Sequence, residues 1–210
     1  MSKSVIKLLS SFVPEHYTLQ LNPDRDTLTF TGTVVIEGQK KKPSERFTFH
    51  ANGLTITNAT IEKIDKKNPG TIAVSRINHQ KSADEVRLHV EDIAYPGSYK
   101  ITMQFEGVIT HHMNGIYPCS FEHDGKEKKL IATQFESHHA REAFPCIDEP
   151  EAKATFDLTL HSPIGEAVIA NTPVIDQKEV DAKLVTTFAT TPKMSTYLLA
   201  FVFGELQSSE

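Results

Sequence analysis

Within eighteen residues, TQFESHHAREAFPCIDEP (133–150) gathers an amide, four carboxylates, two adjacent histidines, an arginine and a cysteine. Three chemistries could use such a set: a metal centre, a nucleophilic dyad, or a polar grip on a ligand. A helical zinc hydrolase carries His-Glu-x-x-His, two imidazoles one turn apart with a carboxylate base between them. None of the ten histidines begins that motif. Adjacent side chains such as His138 and His139 diverge by about 100° on a helix and face opposite ways on a strand, so they chelate one ion poorly. His111 and His112 fail for the same reason. Nor is there a Gly-x-Ser-x-Gly elbow or a glycine-rich phosphate cradle. Cys146 has no histidine close by in sequence and reads as a packing residue rather than a nucleophile. Catalytic and metal-ligating residues are therefore not expected in this chain.

The grip is the remaining option. LIATQFES (130–137) reads as a strand, in which residues two apart share a side. Ile131, Thr133 and Phe135 form one face; Ala132, Gln134 and Glu136 form the other. With the first face in a core, Gln134 and Glu136 stand side by side as amide and carboxylate. Such a pair can hold an ammonium group, the carboxylate supplying charge and the amide oxygen a second acceptor. An ordinary solvated strand face has the same alternation, and pattern alone favours it.

Whatever these residues do, strands must position them. Period-two alternation recurs at Tyr17/Leu19/Leu21, at Leu28 through Ile36, at Phe47/Phe49, at Leu54/Ile56, at Tyr99 through Phe105 and at Phe156/Leu158/Leu160. Turn residues punctuate it: Asn-Gly at 52–53, Asn-Pro-Gly at 68–70, Pro-Gly at 96–97, Asp-Gly at 124–125 and Ser-Pro at 162–163. TYLLAFVF (196–203) is apolar on both parities and reads as a strand buried on both faces. The expectation is one all-β domain over residues 1–210. It has about a dozen mostly antiparallel strands, sandwich-like or a large curved sheet, with at most a helical turn near 138–143.

Composition narrows the partners. The balance of 22 basic and 27 acidic residues gives a net charge of −5. The basic runs QKKKPSER (39–46), KIDKKNPG (63–70) and KEKK (126–129) are broken by acids, Pro and Gly, so they read as solvated turns and not as a nucleic-acid surface. In the N-terminal MSKSVIKLLSSFVPEHY, Lys7 and Pro14 interrupt the apolar run, and no signal peptide is expected. No stretch reaches the roughly 20 apolar residues of a membrane span. Two cysteines do not make a disulfide framework at this length, which points to a reducing, cytoplasmic setting.

The same residues carry a resemblance. TQFESHHAREAFPCIDEPEAKATFDLTL (133–160) is similar to the N-terminal domain of zinc aminopeptidases of the aminopeptidase N (gluzincin) family, including puromycin-sensitive aminopeptidases. The matching positions are Thr133, Gln134, Glu136, Ala140, Arg141, Phe144 to Cys146, Asp148 to Pro150, Lys153, Ala154 and Phe156. VPEHYTLQLNPD (13–24), FTGTVVIEG (30–38), GIYP (115–118) and MSTYLLAFVFGELQ (194–207) resemble further parts of that domain, so the likeness covers nearly the whole chain.

This resemblance implies a saddle-shaped β domain covering the face of a thermolysin-like catalytic domain, which would be its partner. It implies that Glu136 anchors the free α-amino group of a peptide substrate and that Gln134 lines the pocket for the first side chain. Zinc, the His-Glu-x-x-His helix and the oxyanion tyrosine would all lie beyond Glu210, leaving no cofactor in this chain and no hydrolysis by it alone. Arg141 is expected to be structural, pairing with Asp148 or Glu149 to pin the loop beside the site. Two positions depart from the pattern: Pro118-Cys119 replaces the common Arg-Ser, and His139 replaces the common Asp. A stand-alone β-sandwich binding or interaction module without peptidase activity is the competing reading, and a free-standing peptidase using Cys146 is a third. An isolated domain of this kind is also expected to expose an apolar docking face and self-associate.

Overall fold

The computed structural model describes residues 7–64 and 69–206, and the alternating runs become fifteen strands among them. Strands β1 (Phe12–Asp24) and β2 (Thr29–Lys40) form a long opening hairpin, followed by β3 (Ser44–His50), β4 (Thr55–Lys63), β5 (Gly70–Ile72), β6 (Val74–Gln80) and β7 (Glu85–Ala94). Then come β8 (Gly97–Val108), β9 (Gly115–His123), β10 (Lys126–Gln134), β11 (Thr155–Pro163) and β12 (Ala167–Ala170). The last three are β13 (Val174–Val180), β14 (Lys183–Phe188) and β15 (Phe201–Gly204). Residues 1–6 of the N-terminal run, and residues 65–68 of the second basic run, including the Asn68 of its Asn-Pro-Gly turn, lie outside the described residues.

An eight-stranded sheet runs β13-β14-β11-β1-β2-β8-β4-β5, beside a four-stranded sheet β12-β15-β10-β9 and a three-stranded sheet β3-β7-β6. Every pairing is antiparallel except β1 with β11. The fold is therefore all-β, with strand pairing somewhat richer than the dozen expected. Four 3₁₀ turns accompany the strands, one of them at Ala140–Glu142 inside the segment expected to turn.

The alternation explains which faces meet. Tyr17, Leu19, Leu21, Val34, Ile36, Ile101, Met103, Phe156 and Leu160 are fully buried, while the threonines between them look outward. Across β2 and β8 two glycines make room for rings: Phe30 lies opposite Gly107 and Gly32 opposite Phe105. A Cβ on Gly32 would fall 2.5 Å from Phe105 Cζ, and one on Gly107 would fall 2.4 Å from Phe30 Cζ. Asp124 and Gly125 (φ 51° and 69°) close the β9–β10 hairpin in the left-handed conformation that a two-residue loop requires. Pro118 is accommodated because β9 is an edge strand.

Three local expectations are corrected. Ser162 and Pro163 end β11 instead of turning; the turn follows at Gly165, whose φ is 87°. TYLLAFVF is not one strand. Thr196–Leu198 is a 3₁₀ turn with Leu198 exposed, because Ser195 and Thr196 spend their hydroxyls on Pro150 O and Asp148 Oδ1. Only Phe201–Gly204 pairs, between β10 and β12. In the basic run 39–46, Lys40 is buried rather than solvated. Its ammonium donates to Ser44 Oγ and Arg46 O and lies 4.2 Å from the centre of the Phe47 ring. Burial, and secondarily Arg46, pull its pKa down to about 8.

Candidate functional site

The strand that carries Gln134 and Glu136 is held on both edges. β10 pairs with β9 over Lys126–Gln134 and with β15 at Leu130–Ala132. Just beyond, Thr133 Oγ1 accepts from Phe201 N at 3.0 Å and donates to Phe201 O at 3.2 Å. Ile131 and Phe135 enter the core, and Gln134 and Glu136 are exposed. The strand ends sooner than the alternation suggests. It stops at Gln134, and Glu136 opens a turn closed by His139 N donating to Phe135 O at 2.9 Å. Phe135 keeps its inward position across that boundary, and the amide and the carboxylate on either side of it are both exposed. Neither side chain has a hydrogen bond or ion pair to the described residues.

A column of aromatic rings fixes this strand end. Phe135 packs edge-on against Phe144 (centroids 6.1 Å apart), Phe144 against Tyr17 (6.1 Å), and Tyr17 stacks on Phe156 at 4.9 Å with planes 5° apart. The Tyr17 hydroxyl accepts from Ile147 N at 3.1 Å, and burial raises its pKa far above the usual phenol value.

The loop after Glu136 is pinned from below. Arg141 Nε donates to Asp148 Oδ2 at 3.0 Å, its Nη2 donates to Asp148 O at 3.1 Å, and its Nη1 lies 3.9 Å from Asp84 Oδ2. Asp148 is 5% exposed and also accepts from Thr196 Oγ1 at 2.6 Å. Its backbone N–H donates to His50 Nδ1 at 3.0 Å. Burial first, then the Arg141 charge, press the His50 pKa down to about 4, with Asp148 pulling the other way, so the ring is neutral and free to accept. His50 and Cys146 also exchange backbone hydrogen bonds of 2.7 and 3.1 Å. Glu149 does not join Arg141. Its Oε1 accepts from Leu8 N at 2.6 Å and ties the loop to the N-terminal 3₁₀ turn.

The neighbouring histidines are occupied with one another. His138 and His139 rings stack at 4.7 Å, Ser137 Oγ lies 2.8 Å from His138 Nδ1, and His139 Nδ1 lies 2.9 Å from Glu142 Oε1. Glu142 borders a groove with Asn52, Thr110, His112, Asn114 and Gly115. Gly115 (φ 65°) faces Gln134 across β9–β10, and a Cβ there would come within 3.1 Å of Glu142 Cβ. Among the described residues no group of three or more His, Cys, Asp or Glu could hold a metal ion. Cys146 is fully buried, and burial drives its thiol pKa well above the usual value, which removes it as a nucleophile. Both cysteines are free thiols. No helix among the described residues is long and apolar enough to cross a membrane.

The geometry thus offers an exposed amide and an exposed carboxylate at the end of a strand, next to a loop held by one buried ion pair. Residues 13–198, containing all of it, match the peptidase M1 N-terminal domain. The chain belongs to that family. It is 41% identical over 209 residues to "Aminopeptidase N" of Lactococcus lactis subsp. lactis, covering 98% of this chain and 23% of that protein. It is 33% identical over 192 residues to "Aminopeptidase M1" of Arabidopsis thaliana (91% of this chain, 22% of that one). With "Puromycin-sensitive aminopeptidase" of Caenorhabditis elegans it shares 34% over 202 residues (92% and 20%). This M1 N-terminal domain chain therefore spans about a fifth of the length of those relatives.

Sequence spacing could bring out Gln134, Glu136 and the acid-rich turn. It had no means of finding His50, Asp84 or Thr196, which reach Arg141 and Asp148 from 48 to 98 residues away in the two hydrogen-bonded cases.

Proposed function

We propose that this chain is the N-terminal β domain of a zinc metalloaminopeptidase that removes N-terminal residues from peptides in the cytoplasm. In this reading residues 1–210 form a single domain whose partners are a catalytic domain of the same enzyme and the peptide substrate. Glu136 pairs with the α-ammonium group of the peptide, Gln134 contributes its amide oxygen as a second acceptor, and its amide borders the first side chain. Arg141, Asp148 and Glu149 hold the supporting loop. We assign the zinc chemistry to the catalytic domain, since no group of residues among those described is arranged to bind the ion.

What supports the reading is that Gln134 and Glu136 are both exposed and without side-chain partners among the described residues, on either side of Phe135, whose ring is packed in an aromatic column. A carboxylate fixed there selects a free amino terminus and sets how far the peptide advances, which is catalysis by positioning. The purified 210-residue chain, given zinc and a leucyl chromogenic substrate, should bind no stoichiometric zinc and turn over nothing. Turnover abolished by a chelator would overturn the reading and make His138, His139 and Glu142 the suspects.

A further inference from the structure

We propose that two copies of this chain associate edge to edge through β13, antiparallel about a two-fold axis at Gln177. β13 ends the eight-stranded sheet, and all seven of its residues are exposed, including Val174, Ile175 and Val180. A solvated edge strand with open backbone groups is a template for another strand. Its geometry says which groups are open. Asp181 and Ala182 (φ 49° and 60°) form the two-residue loop of the β13–β14 hairpin, so Val180 and Lys183 exchange both hydrogen bonds. Pairs alternate from there. Lys178 with Val185 and Asp176 with Thr187 are bonded inward, and the backbone of Gln177 and Glu179 faces the open edge.

The centre of the strand, Asp176-Gln177-Lys178, is complementary to itself when reversed about Gln177. Gln177 meets Gln177 of the second copy in a hydrogen-bonded pair, using the two groups that face outward. Asp176 then lies opposite Lys178, twice by symmetry, at non-hydrogen-bonded positions where side chains approach most closely. The regular register ends at Asp176, since the β13–β14 pairing shifts between Val174 and Asp176, so the Asp176–Lys178 stretch carries the contact. Neither Asp176 nor Lys178 has an ion-pair partner among the described residues, so both charges are available. Of the possible occupants of this edge, charge pattern and backbone phase select a second copy, joining two eight-stranded sheets into one. A contact of one strand falls below the area of stable interfaces, so the expected Kd is on the order of 100 μM.

Sedimentation velocity on the full chain across that range tests this. The wild-type weight-average mass should rise toward the dimer, and Asp176→Lys and Lys178→Asp should each hold it at the monomer, with association weakened at least about 10-fold. Mixing the two variants should restore the dimer, since one strand then presents two ammonium groups to two carboxylates on the other. Gln177→Pro removes the outward N–H and also the 3.0 Å bond from Gln177 Nε2 to Thr186 Oγ1; it should abolish association, whereas Gln177→Ala, which loses only the side-chain bond, should keep it. A chain monomeric throughout would overturn the proposal and leave the edge to another occupant, such as the remainder of a longer chain. So would a dimer indifferent to both charge reversals.

Discussion

Arg141 and Asp148 are seven residues apart and face each other across the Phe-Pro-Cys turn, with Nε 3.0 Å from Oδ2 and the aspartate almost wholly buried. The guanidinium also reaches the aspartate's own carbonyl. One residue therefore satisfies a buried charge and closes a loop at once. Removing either partner leaves an uncompensated charge inside. Arg141→Ala or Asp148→Ala should lower stability by about 3–5 kcal/mol, read from urea midpoints. Arg141→Lys should recover only part, because an ammonium cannot span Oδ2 and the carbonyl together. A loss under about 1 kcal/mol for Arg141→Ala, the range of an exposed pair, would show that the turn stands without it.

His50 sets a pH dependence. Its pKa falls from an ordinary value of 6.5 unfolded to about 4 folded, so the unfolded state binds the extra proton first. Stability contributed by neutral His50 is complete above pH 6.5 and is lost as pH falls toward 4, to a total of roughly 3 kcal/mol. Denaturation midpoints from about pH 7.5 to about pH 4.5 should slope downward, and His50→Gln should flatten that slope. An unchanged slope in the variant would place the titration elsewhere.

Two glycines should respond differently to alanine. A Cβ on Gly38 would sit 2.3 Å from Val13 O and 2.8 Å from the Phe12 ring, and backbone cannot swing aside as a side-chain tip can. Gly38→Ala should cost about 1–3 kcal/mol or more through forced strand separation in β1–β2. At Gly53 nothing lies within 4 Å, so only its φ of 69° resists the change, at about 1–2 kcal/mol. Thermal melts of the two variants side by side would rank them.

If Glu136 holds the peptide amino group, its removal should be felt on binding more than on folding. In the longer enzyme of the proposed reading, Glu136→Gln should lower kcat/KM for free-amino substrates roughly 10- to 100-fold, the size of a charged hydrogen bond. Gln134→Ala should lower it less and alter the ranking of first residues. The melting temperature should stay within about 1 °C, since neither side chain is bonded within the described chain. Unchanged kinetics in Glu136→Gln would count against the anchoring role and favour a stand-alone interaction module.

The class of fold and the inward position of Phe135 were legible in the residues alone. Period-two alternation places Tyr17, Leu19 and Leu21 or Phe156, Leu158 and Leu160 inward whatever their partners, and Asp124-Gly125 has few conformations besides a tight turn. The same parity faced Gln134 outward, while Glu136, expected next on that face, lies in the turn beyond the strand end. What supports this strand end comes from contacts distant in sequence. Asp148 chooses Arg141 while Glu149 turns to Leu8, and His50 arrives from 98 residues away. Lys40, in a run that reads as solvated, is drawn inside by Phe47 and the Arg46 carbonyl. Strand periodicity is local and survives any pairing. Buried polar partners are fixed by which backbones the sheets happen to bring together, because every buried charge must be answered by the nearest group the fold provides.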